Sequence, residues 1–463
     1  MEDTICAIAT APGGAIGIVR ISGPETFTIA RQVCSRMTDA TPPRTSTFTP
    51  ILDDSGQVLD EAVVTLFCAP HSYTGEDCAE ISCHGSRYIL NKVLETLIHK
   101  GARLANPGEF TQRAFLNGKM DLSQAEAVAD LIAARNKATH DIALSQLRGH
   151  FSSELKDLRN QLLHLTSLLE LELDFSDHED LEFADRTELL TLAQTIEEHI
   201  ARLTKSFKTG QALKQGIPVA IVGKTNVGKS TLLNQLVDDD RAIVSDIHGT
   251  TRDTIEETMD INGVSFRFID TAGLRETSDK VEQIGIERSI QAIKQARILI
   301  WLLDERPSLS ELDEMRFLGK DKISIYVHNK LDLIDVSQFK PYIFPLSLIS
   351  AKNGDGISNL KHLIYKEAQR AGLTANTSDV IVTNARHYDA LIRADNDLQH
   401  VLEGMGAMKI DERWTIVNPS LSGDLLAEDL RLVLSDISDI TGEGQITPQE
   451  TLNNIFSHFC VGK

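Results

Sequence analysis

The sequence contains no long apolar run. Its most hydrophobic stretches, such as Ile298 to Leu303, are strand-length and far short of the roughly 20 residues a membrane helix needs. No signal peptide is visible, because the chain opens Met1-Glu2-Asp3, acidic where a basic stretch should precede an apolar one. The six cysteines (Cys6, Cys34, Cys68, Cys78, Cys83, Cys460) show no C-x-x-C spacing across 463 residues. That argues against a disulfide scaffold or a zinc site and points to a reducing, cytoplasmic compartment. Positive charge is scarce: 46 Lys and Arg against 67 Asp and Glu give a net −21. Broad, non-specific nucleic-acid affinity needs many cations facing phosphates and is therefore not expected, although a local basic patch stays possible. No internal repeat or low-complexity tract is present.

What the chain does have is length for two to four domains and an ordinary globular balance, 41% hydrophobic and 24% charged. Residues 1–118 alternate short apolar strands with glycine turns, as in Thr4 to Ala9 and Gly17 to Ile21 around Gly13-Gly14. From about Asp121 to Ser206 the period becomes helical, with Leu155, Leu158, Leu162, Leu165, Leu169 and Leu173 at helix spacing. The acidic stretch Asp174 to Asp185 reads as a loop between long antiparallel helices. Residues 216–375 alternate strand and helix, the pattern of a parallel sheet with covering helices. The helical pattern returns from Asn384 to the end. The expected organisation is 1–118, 119–215, 216–375 and 376–463, with an α/β unit inserted in a helical domain.

Chemistry concentrates in that insert. Gly223-Lys224-Thr225-Asn226-Val227-Gly228-Lys229-Ser230-Thr231 contains G-x-x-x-x-G-K-S between the apolar strand Ile217 to Val222 and a helix expected over Thr231 to Val237. Glycines let backbone N–H groups close around phosphates at a helix N-terminus. Lys229 reaches the outer phosphates, and the Ser230 hydroxyl is a hard ligand for Mg2+. Four further motifs follow in the order of a Ras-like GTPase. Gly249-Thr250-Thr251-Arg252-Asp253 supplies Thr251 as a second Mg2+ ligand. Asp270-Thr271-Ala272-Gly273 ends a strand, its Asp near Mg2+ and its Gly able to donate to the γ-phosphate. Asn329-Lys330-Leu331-Asp332 offers a carboxylate that accepts two guanine N–H groups; adenine would leave it unpaired. Ser350-Ala351-Lys352 completes the base pocket. The nucleotide is GTP.

One expected residue is missing. The position after the D-x-x-G motif, where Ras-type enzymes carry a water-orienting glutamine, is Leu274, and no glutamine occurs in Arg275-Glu276-Thr277. Asn226 and the loop Ser245-Asp246-Ile247-His248-Gly249 can instead wrap a monovalent cation against the phosphates. Glu282 is either the group that holds the water or a solvated helix carboxylate.

The combination of these motifs with a terminal Cys460-Val461-Gly462-Lys463 resembles the MnmE/TrmE family of bacterial tRNA-uridine-modification GTPases. The likeness extends through Gly14 to Gly23, Gly75 to Gly85 and Pro107 to Leu122, and covers residues 4 to 463. Departures are small: Lys224-Thr225 stands where GTPases often have Pro before Asn, and Val461 where the family often has Ile. The resemblance implies an α+β, folate-binding and dimerising N-terminal domain, an α-helical domain, and a Ras-like α/β G domain inserted in the helical one. It also implies a one-carbon tetrahydrofolate (5,10-methylenetetrahydrofolate or 5-formyltetrahydrofolate) held by Arg20, Glu80, Lys119 and Lys463, with Cys460 near the one-carbon unit. Arg and Lys suit folate carboxylates and Glu suits pterin N–H groups. Without the family, Arg20, Glu80 and Lys119 read as ordinary surface charges. The family further implies K+ at Asn226, Ser245, Ile247 and Thr250, and hydrolysis assisted by Glu282. It implies a homodimer that joins an FAD- and NADH-dependent partner (MnmG/GidA) in a heterotetramer acting on the wobble uridine of certain tRNAs, with no membrane role. The product expected is a 5-aminomethyl or 5-carboxymethylaminomethyl group. Two other readings remain open: a GTPase switch in ribosome assembly, and a folate transferase with GTP as a structural ligand. The tail reads either as a frayed stub or as a segment anchored by Phe456 and Phe459.

Overall fold

The computed structural model describes residues 3–174, 186–241, 257–269, 290–333, 346–374, 380–410, 413–416, 423–442, 452, 455–457 and 459–462. They form two compact units. One comprises Met1–Ile132, Gln146–Gln194 and Asn396–Lys463; the other comprises Ala133–Ser145 and Thr195–Asp395.

The first unit holds a six-stranded sheet: β1 (Ile5–Ile8), β2 (Ile16–Ser22), β3 (Ser46–Leu52), β4 (Val58–Phe67), β5 (Cys78–His84) and β6 (Arg103–Leu104). Its order is β3-β4-β5-β2-β1-β6, with only the β1–β6 pair parallel. Period-two alternation turns Val19, Ile21 and Ile81 into the core and Arg20 and Glu80 to the opposite face. Two helices cover the apolar face, Thr26–Val33 through Ile29, Ala30 and Val33, and Arg87–His99 through Leu90, Val93 and Leu97. Neither helix is foreseen by the strand-and-turn reading of residues 1–118. Both are short, and their apolar positions are too few to outweigh the strand signal around them.

The helical part of this unit agrees more closely with expectation. Leu155, Leu158, Leu162, Leu165 and Leu169 are buried along the helix His150–Asp174, which packs against the helix Gly423–Thr441. Each such leucine contributes about 1.5–3 kcal/mol of burial. The uniformly helical reading after Asn384 needs a correction. An antiparallel hairpin pairs Ala407–Ile410 with Arg413–Ile416, because Gly406 at φ +88° ends the preceding helix and Trp414-Thr415-Ile416 favours extended backbone.

The second unit holds β7 (Ile217–Val222), β8 (Glu257–Ile261), β9 (Val264–Phe268), β10 (Ile298–Leu303), β11 (Ile323–His328) and β12 (Ser347–Leu348). The order is β12-β11-β10-β7-β9-β8, parallel throughout except for β8 against β9. Every residue of β10 is buried, as expected for a strand covered on both faces. In such sheets the carboxyl ends of the strands form the ligand crevice, and here the loops after β7, β10, β11 and β12 meet there. Among the described residues no helix is long and apolar enough to cross a membrane.

Candidate functional site

The chain leaves β7 at Val222 and enters the helix Lys229–Arg241 through Gly223 to Gly228. That helix begins earlier and ends later than the apolar pattern indicates. Backbone hydrogen bonding carries it through Asp238-Asp239-Asp240, where no apolar residue marks it. Asn226 (φ +61°) and Gly228 (φ +99°) are both left-handed, the conformation of an anion-binding nest. A Cβ at Gly228 would sit 2.4 Å from Asn329 Nδ2, so only glycine closes this turn. Lys229 Nζ donates to the carbonyls of Gly223 (2.8 Å) and Lys224 (2.7 Å). Burial lowers its pKa, as expected for a cation partly removed from water. Ser230 and Thr231 stand in the first turn, where the helix dipole favours phosphate.

The base-reading motif is tied directly to this loop. Asn329, 3% exposed at the end of β11, donates through Nδ2 to Val227 O (2.9 Å) and accepts at Oδ1 from Ala351 N (2.9 Å). Ser350 Oγ donates to Asp332 Oδ1 at 2.6 Å, and this bond, assisted by the Lys352 cation, holds the Asp332 carboxyl below its ordinary pKa. Asp332 is thus an exposed, ionised acceptor at the crevice rim. Lys330 (φ +64°) pairs with Asp304 at 2.6 Å, and the next residue, Glu305, pairs with Lys224 at 2.6 Å. Glu311 also reaches Lys224 (2.9 Å), whose cation pushes the Glu311 carboxyl down to about 2. Sequence reasoning missed Asp304. Its available signal was a carboxylate just after the fully apolar strand beside the P-loop strand.

Ser245, Asp246, Ile247, His248, Gly249, Thr250, Thr251, Asp270, Thr271, Ala272, Gly273, Glu282 and Lys463 lie outside the described residues. Of the expected K+ residues Asn226 is described, exposed in its left-handed turn. Of the expected Mg2+ residues Ser230 is described, half-buried in the first turn of the helix Lys229–Arg241.

A second cluster lies in the first unit. Arg20 and Glu80 are Cα partners on β2 and β5, and Arg20 Nη2 and Nε both donate to Glu80 Oε1 (2.7 and 3.0 Å). The Arg20 guanidinium stands 5.3 Å from the Tyr73 ring centroid and 5.6 Å from that of Phe110. Tyr73 bonds Thr111 through its hydroxyl (2.9 Å), and burial raises its pKa. Arg20 Nη1 donates to Gly462 O at 3.4 Å, so the C-terminal tail reaches this pair. Phe456 is buried beside Phe459, ring centroids 5.3 Å apart, in a cluster with Leu122, Ala125 and Leu452. The anchored reading of the tail is therefore the observed one. Cys460 is exposed there. Lys119 Nζ donates to Pro70 O (2.9 Å), against the loop that also carries Tyr73. Tyr73 and Phe110 were missed, since nothing in their local sequence separates a ring beside a cation from a core ring.

A parallel sheet with one antiparallel edge strand, a glycine-closed phosphate loop and an N-K-x-D loop hydrogen-bonded to it together define a P-loop GTPase domain. The remainder of the chain narrows the class. Residues 4–119 match the family described as GTP-binding protein TrmE N-terminus, and residues 122–460 match the MnmE helical domain. The tRNA modification GTPase MnmE of Bacteroides fragilis (strain ATCC 25285) is 51% identical over 100% of both chains. That of Parabacteroides distasonis is 50% identical over 99% of this chain and 100% of its own. The chain belongs to the MnmE family of tRNA modification GTPases.

Proposed function

We propose that this protein hydrolyses GTP to GDP and phosphate and uses that cycle in the modification of tRNA. In this reading residues 216–375 form the G domain inserted between helical segments 119–215 and 376–463, and residues 1–118 form the folate-binding and dimerising domain. The Gly223–Thr231 loop and the Asn329-Lys330-Leu331-Asp332 and Ser350-Ala351-Lys352 loops hold GTP. Ser230 with Thr251 would hold Mg2+, which neutralises phosphate charge. Asn226 with Ser245, Ile247 and Thr250 would hold K+, which supplies the positive charge an arginine finger gives elsewhere. Asp270 and Glu282 serve hydrolysis.

The paired Arg20 and Glu80, with Lys119 and the tail residues Cys460 and Lys463, would bind a one-carbon tetrahydrofolate. Its unit ends at C5 of the wobble uridine as part of an aminomethyl or carboxymethylaminomethyl group. The homodimer would act with an FAD-dependent subunit (MnmG/GidA) in a heterotetramer. The observation that carries the reading is the C-terminal tail lying at the Arg20–Glu80 pair. A thiol-bearing tail whose Gly462 carbonyl meets a half-buried, aromatic-flanked cation has no purpose in a GTPase switch alone. The N-terminal family match favours it over ribosome assembly. Nucleoside mass spectrometry of tRNA from a strain lacking the gene, complemented with wild type or Lys229→Ala, tests it. Absence of the C5 group without the wild-type protein is expected; a normal C5 group in the deletion strain overturns it.

A further inference from the structure

Cys460 and Val461 are exposed while Gly462 is buried, and chain ends fray unless something holds them. Here two glycines lie where any side chain would push the tail away. Gly108 opens the helix Glu109–Leu116 in a left-handed conformation (φ +67°), and its N–H donates to Cys460 O at 3.4 Å. A Cβ built at Gly108 would stand 2.7 Å from Phe456 O and 2.9 Å from Phe459 Cβ. Gly462, φ +95°, lies against β1: a Cβ there would stand 2.5 Å from Ile8 O and 3.0 Å from Ala9 Cα. Both obstacles include backbone atoms, which cannot rotate aside as a flexible side chain would.

The two contacts bracket Cys460. On one side Gly108 receives Phe456, Phe459 and the Cys460 carbonyl; on the other Gly462 rests on β1 and offers its carbonyl to Arg20. Phe110, two residues beyond Gly108, is fully buried with its ring beneath the Arg20 guanidinium. One turn therefore seats the tail and supports the cation that the tail touches.

We infer that Gly108 and Gly462 are positioning residues, a two-point socket whose missing side chains seat the segment that carries Cys460, with its Gly462 carbonyl at Arg20. The part of the inference that concerns tRNA modification rests on the proposed function; the part that concerns docking does not. The socket acts through Cys460 and touches no reacting atom itself.

Gly108→Ala and Gly462→Ala are compared with Gly101→Ala, which imposes the same left-handed strain (φ +109°) with nothing within 4 Å of the new Cβ. Tail docking is read by trimming the full-length protein with carboxypeptidases B and Y and following intact mass, since cleavage reports the population of the open form. Trimming of the two socket variants is expected to accelerate by about tenfold or more, against little change for Gly101→Ala, when a docked end becomes largely free. GTP hydrolysis and thermal midpoint should match Gly101→Ala, while tRNA modification in a complemented deletion strain falls. Trimming at the Gly101→Ala rate in both socket variants overturns the socket. Accelerated trimming with normal tRNA modification upholds the socket and removes Cys460 from the proposed reaction, so the two failures are distinguishable.

Discussion

Asn329 donates through its amide nitrogen to the Val227 carbonyl at 2.9 Å, joining the loop that reads the base to the loop that cradles phosphate. The same amide accepts from Ala351 N at 2.9 Å, so one buried side chain fixes three loops of the crevice. Asn329→Ala leaves the Ala351 N–H and Val227 carbonyl without that partner, at a cost of about 1–3 kcal/mol per unsatisfied buried group. We expect a lower denaturant midpoint together with weaker GDP and GTP binding by calorimetry. Unchanged affinity for both nucleotides would show that the loops hold their places without it.

Asp332 should decide the base. Replacing the carboxylate by an amide in Asp332→Asn converts an acceptor into a donor, so preference should pass from GTP to XTP by tenfold or more, on the order of one hydrogen-bonded pair. The Ser350 bond keeps the carboxyl pKa low. Guanine recognition by the wild type should therefore be flat across neutral pH and weaken only in acid, as the carboxylate gains its proton. A variant that still prefers GTP sinks the assignment.

Hydrolysis should depend on the monovalent cation, because Leu274 replaces the water-orienting glutamine. Rates in KCl should far exceed those in NaCl at equal ionic strength, and dimerisation of the G domains should follow the same preference. Glu282→Ala should slow turnover with GTP affinity nearly intact, the behaviour of a group that acts in the transition state. Equal rates in the two salts would remove K+ from the mechanism.

Arg20 is expected to bind folate rather than nucleotide. Arg20→Lys keeps the charge but loses the fork that holds Glu80, so the two substitutions Arg20→Lys and Arg20→Ala should both weaken 5-formyltetrahydrofolate binding, by about tenfold or more. GTP hydrolysis should not change. Loss of GTPase activity in Arg20→Lys would count against separate sites.

Alkaline pH should destabilise the N-terminal sheet through its buried thiols. Burial pushes Cys6, Cys34 and Cys78 up to about 12 and Cys83 to about 11, from an ordinary 9.0. The unfolded chain therefore loses these protons first, and the stability that is fully present below pH 9 declines as pH rises toward 11. Urea midpoints measured at about pH 8 and about pH 10 should fall between the two, and at pH 8 thiol reagents should label Cys460 and Cys68 ahead of the buried four. Rapid labelling of all six in native protein would contradict the burial.

The sequence by itself determined the nucleotide, because a phosphate loop and a base-reading tetrapeptide are contiguous residues whose own backbone geometry performs the binding. It also determined the leucine face of His150–Asp174, since helical period and burial are one pattern. Arg20 and Glu80 are different. They are 60 residues apart, and the tail that meets Arg20 is 442 residues away. Each looks locally like a solvated charge, and no short-range rule distinguishes a surface arginine from one set between Tyr73 and Phe110. Lys330 likewise matched a motif on sequence alone, whereas Asp304, its partner at 2.6 Å, emerged only where β10 and β11 run in parallel and bring their ends together. Tertiary structure decided these pairings because sheet register and chain return, rather than residue type, set which side chains meet.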